Sequence, residues 1–411
     1  MALASHNLLK YKKIKASPIS NNLEIIDETL SNDCCKWQYM VKKSVNPNFT
    51  KDGKLAFSEN YLTLNTFRKV SRLFNSIIDA RTVMLRYKSD LSTVLDLENT
   101  CITPLVASNK LPMVFYKRED LTCIKAYKVR GAIYQMSKII EQQNSADLNF
   151  VAASTGNHAL GVLKAAEILR VPNVTICISE SVTDFKRFKL EKRINELKKK
   201  GINANLVIHG DTFDQTNNHA QNLVKINKDT YYIDPYNTHN AVAGQGTIGL
   251  EILTQLENQF FDQELLKYNY KKLKKLKRIT VIVPIGGGGL ISGIATSLLM
   301  GVQKFPKFRK LDISVIGVKL DNHNSLYGDA IKVKIPGNHN TDLIKSLVNK
   351  QVNINDADMK RGIDFISTDL GSLVEGASAG TLKPIFEGIT KSSEENAIIC
   401  VLSGGNGNTI S

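Results

Sequence analysis

Short apolar runs alternate along the chain with stretches whose apolar residues recur at helical spacing. The runs at 114–116, 150–153, 174–178, 205–208, 279–283, 313–318 and 397–402 are brief, rich in Val, Ile and Ala, and predict buried strands. Between them, 127–140, 158–170, 184–199, 213–224, 246–256 and 290–300 predict helices. In the first of these, Val129, Ala132, Ile133, Met136 and Ile140 share one face. Strands alternating with helices imply right-handed crossovers and parallel sheets covered on both sides. Ligands of such sheets bind at the carboxyl ends of strands, in the loops that open helices. Ahead of the pattern lies a helical stretch at 62–78, within an N-terminal extension, 1–88, that carries no recognisable chemistry. Two polar or basic insertions, 268–278 and 337–341, read as surface loops.

The stretch 279–302 holds no charge and is long enough to span a bilayer, but Pro284 and four consecutive glycines interrupt it. A strand, a glycine loop and a helix describe it better, so no membrane association is expected. The net charge is +15, and part of the excess lies in two runs, 271–278 and 198–200. No aromatic residues interleave with them as stacking on RNA requires, so solvated surface is the reading and no nucleic-acid partner is expected. The six cysteines form no CxxC pair, which suits reduced thiols in the cytoplasm. The first 23 residues lack acidic side chains and carry four lysines, a faint mark of organelle import, but they also lack arginine.

Four loops carry unusual chemistry. The first, CIKAYKVRGA at 123–132, puts Lys128 where a helix begins. The helix dipole and partial burial both favour a neutral amine there, as carbonyl chemistry needs. The second, ASTGNHALG at 153–161, runs from a strand into small polar residues and a helix whose free amides can hold a carboxylate. The third, PIGGGGLISG at 284–293, allows successive N–H groups to wrap an anion. It fits neither GxxxxGK nor GxGxxG, since Ile291 stands where the third glycine belongs, and so points to a monophosphate. The fourth, VLSGGNGN at 401–408, offers the neutral hydroxyl of Ser403 at a sheet edge.

Together, in this order, they resemble the fold-type-II pyridoxal-phosphate enzymes, closest to the threonine/serine dehydratase (ammonia-lyase) family. The fourth loop carries LSGGN at 402–406, and the other marks are TPL at 103–105, KRED at 117–120 and AGQGTIGLE at 243–251. The resemblance covers 89–411 and implies an α/β fold of two open parallel-sheet domains, like the tryptophan synthase β chain, with the cofactor in the cleft between them. The larger domain would comprise 89–148 plus 227–411 and the smaller 149–226. It further implies that Lys128 binds pyridoxal 5'-phosphate covalently and then takes the substrate's α-proton. Gly286, Gly287, Gly288 and Gly289 with Leu290 would hold the phosphate. Asn157 would meet the ring's phenolic oxygen and Ser403 its pyridine nitrogen. Ser154, Thr155, Gly156, Asn157 and His158 would bind the substrate carboxylate. A neutral partner at the pyridine nitrogen weakens the electron sink and favours prompt β-elimination. L-Threonine would give 2-oxobutanoate and L-serine pyruvate, a place in amino-acid metabolism that includes isoleucine biosynthesis. Such enzymes are commonly dimers or tetramers.

The sequence departs from that family at several points. Ala126 and Tyr127 replace the usual Ser-Phe before the lysine. Thr155 supplies a hydroxyl that could return the α-proton from the opposite side, which keeps serine racemisation open. Lys319 stands where many relatives have a cation-binding glutamate, so its ammonium is expected to replace the ion and no metal site is expected. Glu375 is present in VEGASAG, without the proline that usually follows it. No regulatory domain follows Ser403 in this sequence, which implies no feedback inhibition by isoleucine. The reading of another class is a basic binding protein on a decayed enzyme scaffold.

Overall fold

A computed structural model describes residues 55–57, 60–62, 64–93, 101–143, 147–261, 275–304, 308 and 310–407. Most of the 1–88 extension, residues 268–274 of the 268–278 insertion with the first half of its basic run, and Asn408 of the fourth loop lie outside the described residues. Three sheets are present among those described. A small antiparallel hairpin joins β1 (Leu55–Phe57) to β2 (Asn60–Leu62). The six-stranded sheet contains β3 (Leu105–Ala107), β4 (Val114–Arg118), β9 (Arg278–Pro284), β10 (Asp312–Leu320), β11 (Lys350–Ile354) and β12 (Asn396–Leu402). Their order is β11-β10-β9-β12-β4-β3, all parallel except the antiparallel edge strand β3. The four-stranded sheet, order β7-β6-β5-β8, is wholly parallel. It comprises β5 (Asn149–Ala153), β6 (Asn173–Ile178), β7 (Asn203–Ile208) and β8 (Thr230–Tyr232). β8 lies beyond residue 226, where the sequence reading ends the smaller domain.

The central strands are apolar on both faces because helices cover both faces. Val281, Val283, Ile398 and Val401 are fully buried. The covering helices are α1 (Leu64–Arg86), α2 (Lys128–Gln143), α3 (Asn157–Leu169), α4 (Asp184–Lys199), α5 (Phe213–Ile226), α6 (His239–Phe261), α7 (Gly289–Lys304), α8 (Asn338–Leu347) and α9 (Asp356–Leu370). Among the described residues, no helix is long and apolar enough to cross a membrane. The charge-free stretch 279–302 resolves into β9, the glycine loop and most of α7.

Two expectations change. The helix read at 62–78 runs from Leu64 to Arg86 and is no appendage: Val70, Leu73, Phe74, Ile77 and Met84 are buried where α1 packs on α6 and α7. Each buried side chain of this size contributes about 1.5–3 kcal/mol, enough to make α1 part of the core. The supposed surface loop at 337–341 is the start of α8, and Asn340 is fully buried in it.

Behind the first turn of α2 lies a buried charge cluster that gathers four of the sequence motifs. Arg130 donates to Glu119 at 2.8 Å and to Glu251 at 2.7 Å. Lys117 donates to Glu251 at 2.6 Å, to the Thr103 carbonyl at 2.6 Å and to Gln255 at 2.9 Å. Thr103 closes the cluster on Glu119 at 2.6 Å. The side chains of these four charged residues are at most 4% exposed. Two cations and two carboxylates cancel, so no net charge is left in a medium that would penalise one heavily.

Candidate active site

Lys128 is the first residue of α2, and the segment before it is stitched to the loop after β12. The Tyr127 amide donates to the Ser403 carbonyl at 3.1 Å, and the Gly405 amide donates to the Lys125 carbonyl at 2.9 Å. Residues far apart in sequence thus meet at the carboxyl end of the six-stranded sheet. The Lys128 ammonium donates to the Pro235 carbonyl at 3.0 Å and lies 5.1 Å from the Tyr127 ring and 5.7 Å from the Tyr236 ring. From the other sheet, α3 approaches the same backbone closely: a Cβ on Gly161 would come within 3.1 Å of the Lys128 carbonyl carbon.

The 153–161 loop leaves β5 and opens α3. Gly156 occupies the N-cap without a side-chain cap, which leaves first-turn amides of α3 available to an anion. Ser154 Oγ accepts from the Gly156 amide at 3.2 Å. His158 is buried and faces away: its Nε2 donates to the Ile233 carbonyl at 2.8 Å. Burial first, then the nearby Lys128 ammonium, pushes its pKa down to about 3, so the imidazole is neutral. It anchors the loop.

The glycine loop leaves β9 and opens α7. Gly287 faces the Tyr236 ring so directly that a Cβ there would fall inside it. Gly288 has φ +88°, and a Cβ would meet Ile344 Cδ1 at 2.8 Å and Asn340 Cβ at 2.9 Å. A Cβ on Gly289 would meet Gln245 Oε1 at 2.6 Å. Asn340 holds this loop from behind, donating to the carbonyls of Tyr236 and Gly287, each at 2.8 Å. A glycine backbone pressed into this shape at a helix start could hold a phosphate.

A cleft of about 560 Å³ joins these parts. Lys128, Ser154, Thr155, Gly156, Asn157, His158, Gly286, Gly287, Gly288, Leu290 and Ser403 all line it. Gly289 does not, because it sits under the loop against Gln245. Ser403 is buried, with its hydroxyl 3.3 Å from that of Ser378. Lys319 is elsewhere: its side chain is exposed on β10, and it joins none of the described ion pairs. An exposed, unfixed ammonium is a poor substitute for an ion held in a cage of oxygens.

Three cleft residues escaped the sequence reading as site residues. Tyr236 covers the glycine loop, but nothing in DPYNTH marks it. Asn406 stands out in the sequence only as the end of LSGGN, and Glu375 as part of VEGASAG without an evident task. Glu375 is buried, and burial raises its pKa against the opposing bonds from Asn157 and the Asn406 amide. The signal that could have found the last two is their place in motifs that already marked the site.

The family model for pyridoxal-phosphate-dependent enzymes matches residues 98–404. A catabolic L-threonine dehydratase of Staphylococcus aureus is 29% identical over 326 residues, covering 74% of this chain and 84% of that protein. An L-threonine ammonia-lyase of Thermotoga maritima is 28% identical over 364 residues, covering 84% and 76%. Among solved structures, the processed threonine deaminase isoform 2 of Solanum lycopersicum superposes with a TM-score of 0.61 at 23% identity, covering 82% of this chain and 90% of that one. Maize serine racemase superposes with a TM-score of 0.62 at 20% identity, covering 82% and 94%.

Proposed function

The chain belongs to the pyridoxal-phosphate-dependent enzymes of fold type II, and from that premise we propose that it deaminates L-threonine or L-serine by β-elimination of water. The products are 2-oxobutanoate or pyruvate, with ammonia. One observation carries the reading: an amine at a helix start, a glycine cradle, an uncapped helix N-terminus and a buried serine line a single cleft.

Pyridoxal phosphate supplies, when bound, the electron-withdrawing ring that makes the substrate's α-proton acidic. Gly286, Gly287, Gly288 and the Leu290 amide would hold its phosphate, with Gly289 shaping the loop from beneath; Asn157 and Ser403 would hold its ring, and Lys128 the covalent attachment. The Ser154 and Gly156 amides are already spent on the Cys177 carbonyl and on Ser154 Oγ. The substrate carboxylate would therefore bind in the Ser154–His158 loop at the hydroxyls of Ser154 and Thr155 and the amides of Thr155, Asn157 and His158. That anchors the substrate at one end and turns its Cα–H toward Lys128. Lys128 Nζ, as a free amine, would take the α-proton as general base. His158 transfers no proton, since it is neutral and committed to the Ile233 carbonyl. Ser403, with the Ser378 hydroxyl beside it, offers the pyridine nitrogen no formal charge.

A second reading, serine racemisation, is favoured by Thr155, whose hydroxyl lines the same cleft and could return a proton to the opposite face. The test is a visible spectrum of the purified protein, borohydride reduction with peptide mapping, and incubation with L-threonine, L-serine and D-serine. The expected result is a pyridoxyl adduct on Lys128 and 2-oxo acid from the L-substrates. D-Serine accumulating from L-serine without 2-oxo acid would favour the racemase. No adduct on Lys128 would overturn both.

A further inference from the structure

Asn157 is held in a closed ring of hydrogen bonds. Its Nδ2 donates to Glu375 Oε1 at 2.8 Å. Its Oδ1 accepts from Asn406 Nδ2 at 2.9 Å. The Asn406 main-chain amide donates to the same Glu375 Oε1 at 3.1 Å. A carboxamide can be turned over with little change of shape, so which end faces the cleft must be set by its partners. Here every outer partner has only one possible role. The Ile124 carbonyl can only accept, and Asn406 Nδ2 donates to it at 2.7 Å. The Lys189 ammonium can only donate, and it reaches Asn406 Oδ1 at 3.1 Å from α4. Both fix Asn406 with its amino group toward Asn157. The Asn406 main-chain N–H can only donate, so Glu375 Oε1 accepts from it, and with the carboxyl ionised or its proton on Oε2 the same oxygen can only accept from Asn157 as well. Both facts then turn Asn157 the same way.

We propose that Asn406, with Glu375, is a positioning residue: it locks the Asn157 carboxamide so that the second Nδ2 proton, and not the carbonyl, is presented to the cofactor's phenolic oxygen. This rests on the reading that Asn157 meets that oxygen, and it assigns work to LSGGN and VEGASAG that the cofactor contacts alone leave unexplained. The lock also spans the cleft. Asn157 and Lys189 belong to helices of the four-stranded sheet, whereas Glu375 and Asn406 belong to the six-stranded side. A donor aimed at an oxyanion keeps it ionised; a carbonyl aimed there would repel it.

The test compares Asn406→Asp, Glu375→Leu and Glu375→Gln with the unaltered enzyme, by titration with pyridoxal phosphate and by the visible spectrum without substrate. Asn406→Asp keeps the shape but presents only acceptors, and Glu375→Leu removes the acceptor. Each is expected to shift the visible band and weaken cofactor binding about tenfold, the effect of one buried hydrogen bond left unmade. Glu375→Gln keeps an acceptor oxygen and is expected to leave band and affinity unchanged. A band and affinity in Asn406→Asp matching the unaltered enzyme would overturn the proposal; if that variant does not fold, an unshifted Glu375→Leu does the same. A shifted band in an enzyme that releases no 2-oxo acid would sink the lyase reading and leave this one standing.

Discussion

Replacing Glu251 with glutamine removes one negative charge from a cluster that water does not reach. Glu251 binds Arg130 at 2.7 Å and Lys117 at 2.6 Å, and it accepts from the Ile102 amide at 3.1 Å. Burial alone would raise its pKa, but Arg130 and Lys117 outweigh burial and hold the carboxyl below the ordinary range. In Glu251→Gln, two buried cations face one remaining carboxylate, Glu119, and an amide N–H is forced toward groups that are themselves donors. Breaking a buried pair in this way costs about 3–5 kcal/mol. That is a large share of the 5–15 kcal/mol that holds a typical domain together, so the variant folds but melts early. At about 2 °C per kcal/mol, suited to a long chain, the melting temperature falls by roughly 6–10 °C. Thermal and urea melts followed by circular dichroism at pH 7 measure this. Adding Lys117→Met removes the surplus cation and should recover part of the loss, which separates a charge effect from a packing effect. In the unaltered protein the same carboxylate stabilises above its unfolded pKa near 4.5, and that contribution drains away as pH falls toward the lower folded value. If Glu251→Gln melts within about 0.5 kcal/mol of the unaltered chain, the reasoning about the cluster is wrong.

Gly287→Ala should abolish cofactor binding while sparing most of the fold, because the added methyl group enters the Tyr236 ring at the cradle; absorbance titration with pyridoxal phosphate reads it, and unchanged affinity would contradict the cradle. His158 should stay neutral in NMR titrations down to about pH 3. Since the folded pKa is depressed, its contribution is full above about pH 6.5. Below that it costs about 1.4 kcal/mol per pH unit until the folded pKa is reached. His158→Gln should accordingly lower proton uptake on unfolding near pH 5 by about one; an imidazole that titrates near 6.5 in the folded protein would refute this.

The parallel strands and the helices between them could be read from the chain because burial on both faces leaves unbroken apolar runs such as Ala397 to Leu402. Short or polar strands could not. β8 is Thr230–Tyr232 and β11 is Lys350–Ile354, with polar residues at alternate places and too little length for a period to show. β3, an edge strand, has the same difficulty. The Asn-His-Asn run at the start of α8 reads as a loop because it is polar throughout, yet the last of the three, Asn340, is buried and serves the glycine loop beneath it. The glycines, Lys128 and Ser403 were legible because their chemistry needs particular residue types at particular turns. Asn406 and Glu375 act through another side chain, and nothing in their own surroundings in sequence declares a partner 249 or 218 positions away.

β12 is the last strand of the chain to be synthesised among those described, yet it lies between β9 and β4 in the middle of the larger sheet. A nascent chain emerging from a ribosome at about 5–20 residues per second therefore carries an unfilled slot until Asn396–Leu402 appears. The vitamin-derived group can be gripped only after that slot closes, since Tyr127 and Ser403 meet across it. Uptake of the coloured group thus waits on the synthesis of β12, and chains cut short before Asn396 would emerge colourless and exposed to chaperones and proteases.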